Sequence, residues 1–273
     1  MKFKLLLLIC FLGVSSSAAE TSPWVFGITY GFGYSEYQED VRLGSIDSEW
    51  SALSSSLGFT ADFRGKYIMP MIRVRILGSE SETETWTENG IIAQKNELVL
   101  GQGDLFAGLA PTPLKIGKGT FIPYVGISYR YQIFMRDDFE NYAPSGILVE
   151  ISTDQVNEEI DSWATGAGIV FEIPLSELWN MGFQTEYLYI LDTQAYNQGF
   201  HSEVEGEGGW IWESHISIAK KLSHPGQQMG IRVTADYQSI QGGQSTEIPG
   251  AVIEWPDNQW ANVGLQLFWS GAF

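Results

Sequence analysis

Residues 260–273 read WANVGLQLFWSGAF, and successive side chains of this stretch belong to two different faces. One face carries apolar side chains such as Val263, Leu267 and Trp269, whereas the alternate positions are mostly polar or small. This period of two is typical of a β-strand that lies between two different environments. Aromatic residues at the edges of a lipid-facing band are typical of transmembrane β-barrels, so Trp269 and Phe273 are predicted to belong to such an aromatic girdle. The last strand of a soluble β-sandwich is the alternative.

A final strand that ends in phenylalanine resembles the assembly signal of bacterial outer-membrane barrel proteins. Gly271 stands where that signal has a tyrosine. The resemblance implies that Trp269 and Phe273 serve membrane assembly, and that the partners of the chain are outer-membrane lipid and the barrel assembly machinery.

The first residues have the composition of a secretory signal. Lys2 and Lys4 precede the ten-residue apolar run 5–14, and small residues at 17–19 offer a cleavage site before Glu20. Ten apolar residues are too few for a membrane-spanning helix, which needs about 20. We therefore predict a signal peptide over 1–19 and one barrel domain over 20–273.

Composition excludes several classes of protein. Cys10 is the only cysteine, so the chain after residue 19 has no disulfide and no thiolate metal site. The whole chain carries 15 basic and 33 acidic residues, and removal of Lys2 and Lys4 changes the net charge from −18 to −20. Such a charge repels phosphates, so no nucleic-acid partner is expected.

Alternation recurs along the rest of the chain. In the stretch 24–35 the large residues, such as Phe26 and Tyr30, occupy one face and small residues such as Gly27 and Gly31 the other. Large side chains outside and small ones inside favour a lipid-facing exterior. The other strands are predicted at 51–62, 67–78, 97–109, 121–136, 163–173, 179–191, 210–221, 229–240 and 260–273. The fold predicted is an all-β, up-and-down antiparallel transmembrane barrel of about ten strands, or twelve if the region 137–161 is split.

The connections differ in length and charge. Runs at 78–89, 137–161 and 192–209 are acidic and are predicted to be long outer loops. The basic residues of the connections lie mainly in short turns: Arg64, Lys66, Lys115, Lys118, Lys220 and Lys221. Short periplasmic turns and long extracellular loops are the rule in bacterial barrels, so we predict a location in the bacterial outer membrane.

Charged residues recur on the predicted inward faces. Because an unpaired buried ion is costly and a narrow barrel is filled by side chains, these groups are predicted to form an ion network in the lumen. Its members are Arg73, Arg75, Asp104, Arg130, Glu186, Glu213, His215, Arg232 and Asp236. Glu213 and His215 also have a spacing suited to acid–base chemistry, but membership of the network is the preferred interpretation.

The layout resembles the omptins, a family of outer-membrane proteases with ten-stranded barrels of this size. Asp47 precedes Trp50 at the start of the second strand, and the run 82–86 (ETETW) lies where the family has an aspartate pair followed by tryptophan. The resemblance implies catalytic candidates Glu82 and Glu84 from the second outer loop. In the fourth loop it implies His201 and Glu203, with glutamate in place of aspartate and the order reversed.

The function predicted is structural, adhesive or another surface interaction by a monomeric barrel, and whether the barrel is an enzyme is left open. An omptin-like aspartate-type endopeptidase and a narrow pore are the alternatives. No cofactor and no metal site are predicted. The acidic outer loops suit cationic ligands or divalent ions, and the oxygen ligands for such ions would come from Glu80, Glu82, Glu84 and Glu88.

Overall fold

The computed structural model describes residues 24–41, 46–199, 201–224, 226–245 and 253–272. Its long strands are β1 (Trp24–Val41), β2 (Ile46–Phe63), β3 (Ile68–Ser79), β4 (Glu82–Glu88), β5 (Ile91–Pro111), β7 (Gly119–Tyr142), β9 (Val156–Pro174), β10 (Trp179–Asn197), β12 (Gly208–Lys221), β13 (Gln228–Gln241) and β16 (Asp257–Ala272). The short strands are β6 (Leu114–Ile116), β8 (Leu148–Ser152), β11 (Ser202–Glu205), β14 (Gly243–Ser245) and β15 (Ile253–Trp255). The predicted signal peptide and Phe273 lie outside the described residues.

The sheet closes into a barrel because β1 pairs with both β2 and β16. Neighbours are antiparallel all round, and β3 with β4 forms one barrel strand interrupted at residues 80–81, so the barrel has ten strands. Closure removes the exposed edge on which another chain could pair. The predicted ten-stranded antiparallel barrel is confirmed.

The strands run further than the sequence pattern indicates. Most of the predicted loop 78–89 is the strand β4, which continues to a two-residue turn at Asn89 and Gly90. Both turn residues have positive φ, 52° and 78°, which is the backbone of a tight hairpin. The predicted loops 137–161 and 192–209 likewise consist largely of strand extensions with the added strands β8 and β11. All ten strands thus form one barrel, and the alternative of twelve is not needed.

A belt of exposed apolar side chains surrounds the half of the barrel near the short turns. Ile28, Phe32 and Leu57 are representative, with 47%, 63% and 52% of their surfaces exposed. The opposite face of the same strands carries small or polar residues such as Thr29, which is buried. This is the side-chain arrangement of a barrel whose outside contacts lipid.

Beyond this belt, toward the long loops, the apolar side chains point inward. Tyr37, Trp50, Phe134 and Trp260 are buried there, and the rings of Tyr37 and Phe134 lie 4.4 Å apart. Several aliphatic side chains complete this layer: Leu98, Leu100, Ile160, Leu188, Ile190, Ile211 and Ile240. Each fully buried large side chain contributes about 1.5–3 kcal/mol. The lumen therefore contains a packed apolar core at this level.

No helix of the described residues is long and apolar enough to cross a membrane.

Candidate functional site

Arg75 is the centre of a charged network in the belt half of the lumen. Alternation along β3 places Arg73 and Arg75 on the inner face, from which they reach across the barrel. The guanidinium of Arg75 donates to Asp104 at 2.8 Å, to Glu213 at 2.8 Å and to Asp236 at 2.6 Å. Glu213 and Asp236 are direct cross-strand partners on β12 and β13, so two like charges stand side by side and share this cation.

Arg130 joins the same network from β7. It donates to Asp104 and to Glu213, both at 2.6 Å, and to the amide oxygen of Gln238 at 2.7 Å. Its side chain is almost completely buried, with 2% exposed. Asp104 and Glu213 each accept from two guanidinium groups, which compensates for their removal from water.

Arg73 forms a branch of the network with Glu186. The two are ion-paired, and Tyr124 donates its hydroxyl to the same carboxylate at 2.9 Å. The guanidinium also lies 3.9 Å from the ring centroid of Phe106, a cation–π contact. Arg73 therefore has both electrostatic and aromatic partners.

Arg232 and His215 lie beside this network without joining it by an ion pair among the described residues. Arg232 donates to the amide oxygen of Gln266 at 2.7 Å. His215 borders a cavity of about 110 Å³, as do Arg232 and Thr29. Within the described residues no hydrogen bond joins His215 to Glu213, whose carboxylate is held by arginines. The acid–base pair suggested by their spacing is therefore not assembled.

A second buried cluster, the outer cluster, lies beyond the belt and surrounds Arg136. This arginine donates to Glu84 at 2.7 Å, to Glu39 at 3.1 Å and to Glu158 at 3.3 Å. Three carboxylates thus share one guanidinium, and the cluster links β1, β4, β7 and β9 across the barrel. Trp255 adds a hydrogen bond to Glu158 at 3.2 Å.

The carboxylates of the outer cluster differ in their affinity for a proton. Burial raises the pKa of Glu39 to about 8; Arg136 opposes this shift, whereas Glu158 and Glu84 add to it. Burial alone would also raise the pKa of Glu84, but Arg136 and a hydrogen bond from Asn96 hold it below its ordinary value. At neutral pH Glu39 is therefore protonated, whereas Glu84 is ionised. The neutral Glu39 reduces the electrostatic repulsion among the three acids.

Glu39 and Glu158 are not among the site residues predicted from the sequence. Both lie in stretches assigned to connections, because the predicted strands ended at 35 and began at 163. Continuing the alternation of β1 beyond Ser35 would have placed Tyr37 and Glu39 on the inner face. That signal was present in the sequence.

The catalytic candidates do not converge. Glu84 is completely buried and engaged by Arg136, whereas Glu82 on the same strand is exposed. His201 and Glu203 are also exposed, and His201 lies 3.5 Å from the Tyr196 hydroxyl. Among the described residues no hydrogen bond connects Glu82 or Glu84 with His201 or Glu203.

Divalent-ion ligands are not gathered either. The described residues contain no group of three or more histidine, cysteine or acidic side chains arranged to hold a metal. Glu80 and Glu88 are exposed near the two ends of β4, whereas Glu84 lies inside the barrel.

Trp269, the described member of the predicted assembly pair, is half-buried on β16 opposite Ile28 and Met229.

No protein-family model matches the chain, and no curated protein matches it. The outer membrane protease OmpT from Escherichia coli matches 95% of this chain over 100% of its own length, with a TM-score of 0.68 at 8% identity. The fold is that of an outer-membrane β-barrel. This confirms the predicted omptin-like barrel as a fold, and at this identity the similarity extends to the fold alone.

Other outer-membrane barrels match with lower scores. The translocator domain of the autotransporter NalP from Neisseria meningitidis covers 93% of this chain and 90% of its own, with 11% identity and a TM-score of 0.41. The outer membrane protein OprG from Pseudomonas aeruginosa covers 93% and 97%, with 12% identity and a TM-score of 0.34.

Proposed function

We propose that this chain is a monomeric, non-conducting barrel of the bacterial outer membrane, in an adhesive or structural role. The parts of the strands beyond the belt, here called the extension, present a rigid acidic surface outside the cell. The observation that carries the proposal is the packed lumen beyond the belt. Trp260, Phe134 and Leu98 are at most 1% exposed there, and the outer cluster lies in the same half. A pore would need a continuous polar path through this layer.

The outside of the same half supports a surface interaction. Exposed acids occur on most strands of the extension: Glu36, Asp40, Asp47, Glu49, Glu82, Asp137, Asp192 and Glu203. Within the described part of the extension the basic side chains are Lys95 and the buried Arg136. Because Asp40 lies directly opposite both Asp47 and Asp257, like charges are held together by the strand pairing. A cationic partner would reduce this repulsion, so basic peptides are the ligands proposed.

Two measurements on refolded protein test this role. In planar bilayers we expect no conductance steps, whereas an open channel would contradict the sealed lumen. Liposomes containing the barrel should retain polylysine at low salt, release it at 1 M salt, and not retain polyglutamate. An Asp40→Asn/Asp47→Asn variant should retain less polylysine than a Lys220→Gln control. Equal retention of polylysine by both variants would exclude this acidic row as the binding surface.

Proteolysis is the second candidate, favoured by the fold shared with an outer membrane protease. The residues support it less, because Glu84 is bound by Arg136 and Glu203 lies on an exposed face. We expect no cleavage of cationic peptides at neutral pH. Cleavage that disappears in both His201→Ala and Glu84→Gln, while the variants still migrate as folded barrels, would restore the enzyme interpretation.

A further inference from the structure

The short-turn end of the barrel carries a set of exposed basic side chains, here called the basic rim. Its members lie in or next to three separate connections: Arg64, Lys66, Lys115, Lys118, Lys220 and Lys221. The fourth connection, residues 175–178, contains Glu177 and no basic residue. The charge of this end is thus opposite to that of the acidic extension at the other end.

Three lysines of the basic rim lie next to exposed apolar or aromatic side chains. The ammonium of Lys66 is 5.0 Å from the ring centroid of Tyr67, whose side chain is 72% exposed. Lys220 pairs across the sheet with Trp179 on one side and Met229 on the other, and both are exposed. Lys118 follows Ile116 after a single glycine, and Ile116 is 55% exposed. Each lysine thus combines a charge with a neighbouring surface that suits the edge of a bilayer.

The level of these lysines matches the edge of the belt. On β12 the lipid-facing positions alternate through Ile216 and Ile218, and Lys220 is the next residue on that face. It lies about 7 Å further along the strand, at roughly 3.3 Å per residue. Ile68 is likewise the first lipid-facing residue of β3, and Lys66 precedes it by two positions. These ammonium groups therefore stand where lipid headgroups begin.

Arg64 has an attractive electrostatic interaction with Asp62, but the basic rim as a whole is not paired with acidic side chains within the described part of the chain. None of its members takes part in an ion pair there, and Lys115 donates to the Thr120 hydroxyl at 2.8 Å. The three connections follow β2, β5 and β12, and β12 lies on the other side of the closed strand order from the first two. A small soluble anion would need convergent donors in one pocket, whereas separated donors around a rim suit a surrounding sheet of anions.

We propose that the basic rim binds the headgroups of anionic phospholipids in the leaflet that surrounds the short-turn end. The ammonium groups donate to phosphate oxygens while Tyr67 and Trp179 occupy the interface beside the acyl chains. Basic residues next to an anionic membrane surface each strengthen binding about fivefold. The opposite charge of the extension disfavours such lipids at the other end, so the two leaflets are distinguished.

Lipid retention by the folded, full-length mature barrel tests the proposal. Protein in a neutral detergent is equilibrated with equal amounts of phosphatidylglycerol and phosphatidylcholine, and retained lipid is counted by native mass spectrometry. We expect preferential retention of phosphatidylglycerol, reduced about a hundredfold in Lys66→Gln/Lys118→Gln/Lys220→Gln and unchanged in Lys95→Gln on the extension. If the triple variant does not migrate as a folded barrel, Lys220→Gln alone should lower the preference about fivefold.

Three results would overturn the proposal. The first is equal retention of the two lipids by the wild-type barrel. The second is an unchanged preference in folded variants of the basic rim. The third is displacement of phosphatidylglycerol by millimolar glycerol phosphate, which would identify the rim as a site for free phosphates. Salt at 1 M should abolish the preference for phosphatidylglycerol, because it shortens the electrostatic screening length to about 3 Å.

Discussion

Replacing Arg75 by methionine removes the cation that three carboxylates share. Asp104 and Glu213 keep their contacts with Arg130, both at 2.6 Å, so two of the three acids retain a partner. Asp236 loses its ion pair at 2.6 Å and is left with 4% of its side chain exposed. Stranding one buried charge typically costs about 3–5 kcal/mol, and the remaining contacts of the other two acids favour the lower end. We therefore expect Arg75→Met to lower the free energy of unfolding by about 3 kcal/mol.

Urea unfolding of the barrel refolded into lipid vesicles, followed by tryptophan fluorescence, measures this loss. Arg64→Met, measured in vesicles of lipid without net charge, is the matched control, since Arg64 is exposed in a short turn and, in the absence of anionic headgroups, its removal should change stability by about 0.5 kcal/mol or less. Neutralising the stranded acid in Arg75→Met/Asp236→Asn should recover at least about 1 kcal/mol. A stability of Arg75→Met equal to that of the control, or a further loss on the second substitution, would refute the role assigned to Arg75.

Two further predictions concern the outer cluster and the last strand. Because folded Glu39 keeps its proton up to about pH 8 whereas the unfolded chain releases it near 4.5, stability should fall as pH rises through this window, by at most about 1.4 kcal/mol per pH unit. Urea midpoints should depend less on pH in Glu39→Gln, and identical pH profiles would contradict the assignment. Deleting Phe273 should reduce membrane assembly far more than Phe268→Ala, since Phe268 lies on the lumen face of β16. If both variants lose the heat-modifiable gel band equally in whole cells, the direction in which these side chains face does not matter for assembly.

Strand number and facing could be predicted because lipid imposes a strict alternation. In β1 the side chains from Trp24 to Tyr34 alternate between lipid and lumen, and the structure places them as predicted. Strand length could not be predicted in the same way. Outside the belt both faces of a strand can be polar, as in the run 82–88, and acidic composition then resembles that of a loop.

The charged residues in the belt half of the lumen could be predicted from the sequence, but the pairs that they form could not. Alternation assigns Arg75 and Asp236 to the interior, but the contact between them joins residues 161 positions apart and depends on how the sheet closes. Arg232 illustrates the limit, because its inward position was predicted whereas its partner is the amide of Gln266. In the belt half, the alternation along the strands specifies which charges are inside, and the closure of the barrel determines which of them meet.

The apolar side chains change faces at one level of the barrel, and this level separates its two halves. Tyr34 is paired with Leu53 and Val263, and these three side chains are exposed in the belt. Three residues further along β1, Tyr37 is paired with Trp50 and Trp260, and these three are buried in the lumen.

This inversion follows from a change of solvent outside the barrel. Lipid surrounds the first level and accepts apolar side chains, whereas water surrounds the second and drives them into the only dry space, the lumen. The seal is therefore made by strand residues of the wall itself. A conducting state would have to expose Tyr37, Trp50 and Trp260 together, at about 1.5–3 kcal/mol for each large side chain, so the proposed non-conducting role predicts that movement of the loops alone would not open this barrel.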